Sequence, residues 1–178
     1  LEKILWAYKR MKQDHFSTAE MIANSWVAGV EFYYNGESDS AIAYIYEALA
    51  YPGESMDIMA QKYRAIGWLG RIYYGLGEID SAIRHLTKAR NWYDEHGVLL
   101  WGLLASNLLG NIYHKMGDLA VAEKHYLKSE RFFDEMIRLK SSNRYDSLKF
   151  VATYGIELYY PVPPVKLNEM MWDWGKWT

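Results

Sequence analysis

The chain has 178 residues, of which 51% are hydrophobic and 24% charged, so it can bury a core and is not a disordered chain. Its formal net charge of −2 gives no basic surplus for phosphate backbones, and we expect no direct nucleic-acid binding. The absence of cysteine excludes disulfides, thiol catalysis and cysteine-ligated metal centres. No apolar run approaches the roughly 18–20 residues that span a bilayer, so we expect a soluble, cytoplasmic protein without membrane contact.

The N-terminal segment, residues 1–15, predicts a helix. Leu5, Tyr8 and Met11 are spaced as on one face of a helix. The chain begins with Leu rather than Met. We therefore expect a processed or truncated protein, in which this helix is the remnant of a preceding repeat.

A sequence repeat organises the middle of the chain. Residues 36–42 return as residues 77–83, a shift of 41, and a further shift of 40 aligns Gly77 with Gly117. A period of about 20–50 residues is typical of proteins that stack one small structural unit upon the next. We predict three such units between residues 16 and 140, with boundaries at residues 16–53, 54–95 and 96–140.

Each unit predicts two antiparallel helices joined by a short turn. In the second unit, Ile66, Leu69 and Tyr73 follow the three-and-four spacing of one helix face. Small residues at Gly70 and Ala82 are expected where the two helices cross closely. A glycine able to adopt the left-handed conformation follows the first helix of every unit, at Gly36, Gly77 and Gly117. The expected helices cover residues 17–34, 38–51, 56–76, 79–95, 98–116 and 119–140.

The order of small and aromatic residues in these units resembles the tetratricopeptide repeat. Leu69, Gly70, Tyr73, Gly77 and Ala82 carry the resemblance, and residues 109–129 repeat it, while the first unit is a weaker match. The period of 40–41 residues, against about 34 in the usual repeat, is similar to the long-helix variants of kinesin light chains, MalT-type regulators and Rap-type regulators. The resemblance implies an all-α fold, a right-handed α-α superhelix of antiparallel helix pairs.

Two segments follow the predicted repeats. Residues 141–160 predict one more helix that would cap the stack, and residues 161–178 are a Pro- and Trp-rich tail. Trp172, Trp174 and Trp177 would each bury about 150–250 Å², so we expect the tail to dock. A seal over the last helix, occupation of a groove in its own or a neighbouring molecule, and binding to a partner are the alternatives. Homo-oligomerisation through the tail or the N-terminal edge also stays open.

Motifs for catalysis, cofactor binding and metal binding are missing from the sequence. It has no phosphate-binding loop, no dinucleotide-binding glycine pattern, no His-Glu-x-x-His and no Gly-x-Ser-x-Gly. His85 and His125 occupy the same repeat position, which structural repetition explains better than a shared metal does. We predict a protein that is not an enzyme and that uses neither a cofactor nor a metal.

The resemblance also implies where a protein or peptide ligand would bind, because in this family the first helices of successive units line the concave surface. The implied contacts are Trp26, Val30, Tyr33, Arg64, Arg71, Tyr74, Asn107, Asn111 and His114. Asn107 and Asn111 are one turn apart and could hold a peptide backbone, or they could satisfy interhelix contacts and water. Arg64 and Arg71, two turns apart, could pair a ligand carboxylate or form a solvated face.

The sequence therefore predicts a scaffold that holds a partner segment in its concave groove. The alternative is a peptide-sensing regulatory domain of a bacterial transcription regulator or signalling protein, with the effector module outside this sequence. A helix-turn-helix pattern upstream of Leu1 would favour the regulator, whereas further repeats would favour the scaffold.

Overall fold

The computed structural model describes residues 16–141, and the side chains of residues 16–138. Its regular structure within these residues consists of six helices: α1 (Thr18–Tyr34), α2 (Ser38–Ala50), α3 (Met56–Gly75), α4 (Ile79–Glu95), α5 (Leu99–Lys115) and α6 (Leu119–Ser141). These helices confirm the all-α prediction, and their ends lie within a residue of the predicted ends. The predicted segments 1–15 and 161–178 lie outside the described residues, as does the predicted capping helix 141–160 apart from its first residue.

Local chemistry explains where the helices begin and end. The Ser17 hydroxyl accepts a hydrogen bond from the backbone N–H of Glu20, and the Glu20 carboxylate accepts one from the backbone N–H of Ser17, at 3.3 and 2.8 Å. This capping box starts α1, and the bonds from Ser17 hold the pKa of Glu20 below its usual value. The three turn glycines have φ angles of +82°, +79° and +82°, which confirms the predicted left-handed turns at Gly36, Gly77 and Gly117.

Consecutive helices pack in pairs, α1 on α2, α3 on α4 and α5 on α6. The apolar side chains between them are fully buried and include Ile22, Ile45, Leu69, Ile72 and Leu109. Because these side chains are buried where the helices contact one another, pairing contributes to the stability of each helix.

Glycines allow the helices of a pair to approach closely. A Cβ atom on Gly70 would lie 2.6 Å from Leu86 Cγ and 3.0 Å from the Leu86 backbone nitrogen. The close crossing at Gly70 was therefore correctly predicted, but Leu86, one turn beyond Ala82, is the residue that faces it. Ala82 is fully buried on the same helix.

The first helices of neighbouring pairs also contact one another. α1 packs on α3, and α3 touches α5, while the second helices α2 and α4 pack on the first helix that follows them. This arrangement is a helical solenoid of the predicted type, with α1, α3 and α5 forming one layer. Within residues 16–141, none of the helices combines the length and the apolar character that crossing a membrane requires.

Candidate functional site

One face of α1, α3 and α5 carries the side chains through which these three helices meet, and we call this face the groove. In its first half, the Trp26 indole N–H donates to Gln61 Oε1 at 3.1 Å. The Trp26 ring also meets the Trp101 ring edge-on, with 6.3 Å between centroids. The Arg64 guanidinium lies 5.6 Å from the Trp101 centroid. This cluster links α1 to α5 across the helix between them.

The second half of the groove holds two cations against aromatic rings. Tyr34 meets Trp68 edge-on, with 6.2 Å between centroids, and the Arg71 guanidinium lies 5.4 Å from the centre of the Trp68 ring. On the next helix, the Lys115 ammonium lies 5.4 Å from the centre of the Tyr74 ring. Contacts of a cation with an aromatic face are attractive, so Arg71 and Lys115 hold their charges at defined positions.

The two predicted asparagines lie on α5 and differ in their surroundings. Asn111 is exposed, and its side-chain oxygen accepts a hydrogen bond of 2.8 Å from the Tyr126 hydroxyl. Burial, followed by the nearby Tyr74, raises the pKa of Tyr126, so this hydroxyl keeps the proton that it donates. Asn107, one turn earlier, is half-buried. The bond to Tyr126 leaves the amide NH₂ group of Asn111 as the part that a ligand could use.

The other predicted contacts do not form one continuous patch. Arg64 is only 2% exposed, so its charge lies beneath the surface against Trp101. The Tyr33 hydroxyl fills the space beside Gly75 so closely that a Cβ there would overlap it. Val30 is half-buried on α1, and His114 is exposed at the end of α5.

The sequence prediction missed several groove residues, among them Gln61, Trp101 and Lys115. Trp101 precedes Gly110 by nine residues, which is earlier than the positions that the family resemblance transfers. Lys115 follows the predicted His114 directly, and its place over Tyr74 depends on a neighbouring helix. A signal for Lys115 was present in the sequence, because α5 contains no acidic residue that could neutralise it.

Polar atoms without a hydrogen-bond partner also occur in the groove. The indole N–H groups of Trp68 and Trp101 are shielded from solvent, and neither has an acceptor. An unsatisfied buried donor costs about 1–3 kcal/mol. Each of these two donors therefore carries a free-energy cost within the fold.

His85 and His125 occupy matching positions in the second and third helix pairs. His85 lies beside Tyr73 and His125 beside Tyr113, each with 5.2 Å between ring centroids. Burial, and then the charge of Arg90, lower the pKa of His125. Among the described side chains, no three histidine or carboxylate groups lie close enough together to hold a metal ion.

Comparison with known families identifies the repeat. Residues 59–135 match the family model of the tetratricopeptide repeat. No curated protein and no solved structure matches the chain. The long-period subtype to which these repeats are similar stays a prediction.

Proposed function

Because the chain carries tetratricopeptide repeats, a family that generally provides scaffolds for protein interactions, we propose that it is a non-enzymatic scaffold holding a segment of a partner protein in its groove. The observation that carries this proposal is the meeting of aromatic and cationic side chains from three successive first helices. Trp26, Trp68, Arg71, Tyr74 and Trp101 all belong to that set.

Aromatic rings would supply most of the affinity. Apolar area that leaves water contributes about 25 cal/mol per Å², and aromatic anchors dominate many protein interfaces. The half-buried rings of Trp26 and Tyr74 are suited to this role. Arg64 supports the site from beneath by its contact with Trp101.

Polar groups would fix the register of the bound segment. The Asn111 NH₂ group and the Asn107 amide can bond to a peptide backbone, and Arg71 can pair with a carboxylate. The resemblance implies nine contacts, and of these the buried Arg64 supports the site from beneath. The proposed ligand contacts are the other eight, Trp26, Val30, Tyr33, Arg71, Tyr74, Asn107, Asn111 and His114, with Trp101 and Lys115 added.

The test is selection of random 12-residue displayed peptides on the full chain, followed by affinity measurements with two matched variants. Val30→Tyr adds bulk on α1 one helical turn after Trp26, and Ala43→Tyr adds the same side chain at an exposed position of α2. We expect Val30→Tyr to weaken binding of the selected peptides at least about tenfold, which corresponds to 1.4 kcal/mol. Ala43→Tyr should leave the Kd unchanged. Equal effects of both variants, or the absence of any selected peptide, would contradict the proposal.

A further inference from the structure

We propose that a cavity between α4, α5 and α6 binds a small zwitterion with an apolar side chain, which is the chemistry of an α-amino acid. No residue that lines this cavity is among the proposed contacts of the groove, so the two sites are separate. The proposal follows from the size of the cavity, the apolar residues at its floor and the pairing of the charges around it.

The cavity lies where the end of α4 and the start of α5 meet the second half of α6. Asp94 lines it from α4 and Leu99 from α5, and residues between 128 and 138 of α6 supply the rest. Its volume is about 370 Å³. Pockets for small molecules commonly measure about 300–1,000 Å³, so this cavity suits a small ligand.

The floor of the cavity is apolar. Leu99 is half-buried and Phe132 is buried. The Phe132 ring packs directly against α5, because a Cβ atom on Gly102 would lie 2.6 Å from Phe132 Cζ. Apolar surface favours a ligand that removes it from water. The floor therefore selects a ligand with an apolar side chain.

Four of the charged side chains around this floor already pair with one another. Lys128 Nζ lies 2.5 Å from Asp94 Oδ2. The Arg138 guanidinium donates two hydrogen bonds to the Glu135 carboxylate, and these bonds lower the pKa of Glu135. Because each pair balances its own charge, neither pair gives the cavity a preference for a cation or for an anion.

The other two charged residues of the cavity are Arg131 and Asp134, and both are exposed. Neither forms an ion pair with any residue in the part of the chain that the structure describes. They are three positions apart on α6, a spacing that makes side chains neighbours with about 5–6 Å between their Cβ atoms. One cation and one carboxylate are therefore available side by side at the rim.

A ligand that carries both charges matches this rim. The Arg131 guanidinium can donate two parallel hydrogen bonds to a carboxylate, and the Asp134 carboxylate, which only accepts, can bind an ammonium group. An α-amino acid holds its carboxylate, its ammonium group and its side chain on one carbon, so the three can face Arg131, Asp134 and the floor together. A ligand with a single charge leaves one of the two residues unpaired.

The test compares phenylalanine with two analogues by ligand-observed NMR titration of the full chain at neutral pH. Phenylpropionate lacks the ammonium group and phenethylamine lacks the carboxylate, while both keep the aromatic ring. We expect phenylalanine to bind with a Kd of about 1–10 mM and each analogue to bind about fivefold more weakly, because each loses one charge-assisted contact. The absence of phenylalanine binding, or equal affinity for the three compounds, would overturn the proposal.

Variants of α6 locate the binding site. Asp134→Asn should weaken binding of phenylalanine about fivefold without weakening that of phenylpropionate, which has no ammonium group. Arg131→Gln should weaken binding of phenylalanine to the same extent without weakening that of phenethylamine. Glu123→Gln and Lys124→Gln remove exposed charges of the same two signs from α6 outside the cavity. These control variants should leave every Kd within about twofold, and urea unfolding checks that each variant retains the fold.

The outcomes also separate this proposal from the groove function. If phenylalanine binds but neither Asp134→Asn nor Arg131→Gln weakens it, the ligand lies elsewhere and the proposal is wrong. If each variant weakens all three compounds alike, the cavity does not recognise the two charges and the proposal is again overturned. Val30→Tyr, which is expected to block peptides in the groove, should leave the Kd of phenylalanine unchanged, whereas a parallel loss would place phenylalanine in the groove.

Discussion

The second and third helix pairs have a glycine at the same repeat position, but a different side chain faces it in each pair. Gly70 of α3 faces Leu86, whereas Gly110 of α5 faces Tyr126. Leu86 ends in the core, but Tyr126 extends past its glycine, and its hydroxyl bonds to Asn111 in the groove. The backbone geometry is repeated in both pairs, so one residue of the second helix determines how each pair contributes to the groove.

The two pairs also differ around their histidines. In the second pair, His85 Nδ1 lies 2.7 Å from the Ser81 carbonyl oxygen, and its ring is tilted by 31° from that of Tyr73. In the third pair, the His125 and Tyr113 rings are nearly parallel at 8°, and His125 Nδ1 has no hydrogen-bond partner. Histidine Nδ1 therefore has a hydrogen-bond partner in the second pair but not in the third.

Substitution of the two crossing glycines should show the largest difference between the pairs. Gly70→Ala brings a Cβ against the backbone nitrogen of Leu86, which cannot move without shifting α4. Overpacking costs about 1–3 kcal/mol, partly offset by about 0.5–1 kcal/mol for removing a helical glycine. The three atoms nearest to a Cβ on Gly110 belong to the Tyr126 side chain, which can shift more easily than backbone can. Urea unfolding should place Gly70→Ala lower in stability, and the reverse order would show that rigid backbone contact does not control the crossing.

A smaller effect is expected at Tyr93 of α4 and at the matching Phe133 of α6. The buried Tyr93 hydroxyl of α4 donates to the Tyr63 carbonyl oxygen at 2.8 Å. Phe133, the matching residue of the third pair, is 39% exposed. Tyr93→Phe should cost about 0.5–1.5 kcal/mol in unfolding free energy, the net value of one hydrogen bond. The matched change Phe133→Tyr should stay within about 0.5 kcal/mol, and a comparable loss in both variants would contradict this assignment.

The smallest effect concerns the pH dependence of stability. The pKa of His125 is lowered in the folded chain from an ordinary value of 6.5, first by burial and then by Arg90. The unfolded chain therefore binds this proton more readily, so the stability contribution is present above pH 6.5 and is lost as the pH falls below it. His125→Gln should remove this decrease in unfolding free energy, which is smaller than the effects above because solvent screens a partly exposed group.

The control for this pH effect is His114→Gln, because His114 is exposed on α5. Thermal unfolding between pH 7.5 and 5 compares the two variants with the unchanged chain. A His125→Gln profile that falls as steeply as that of the unchanged chain would show that another group controls the acid side.

Much of the fold could be predicted from the sequence because it depends on local chemistry. The Ser17 capping box, the three turn glycines and the spacing of Leu69 and Ile66 each act within a few residues of the chain. Such signals survive in a single sequence. The residue opposite Gly70 could not be predicted from the sequence, because it depends on the relative axial positions of the two packed helices.

The groove was less predictable for the same reason. Repeat position placed Arg64 on the correct helix, but its burial depends on Trp101, which comes from the next helix pair. Asn111 was predicted as a ligand contact, yet the direction of its free polar group is set by Tyr126 of α6. Sequence pattern assigns a face to a residue, while neighbouring helices decide which of its atoms a ligand can reach.

The contact between Trp26 and Trp101 spans an intervening helix pair, and this gives the repeats a mechanical property. Straightening the array would separate these rings and break the bond from Trp26 to Gln61. An aromatic pair of this kind contributes about 0.5–1.5 kcal/mol beyond its buried area. The first and third helix pairs are therefore coupled directly as well as through the pair between them, and a change in indole fluorescence would report a change in their separation.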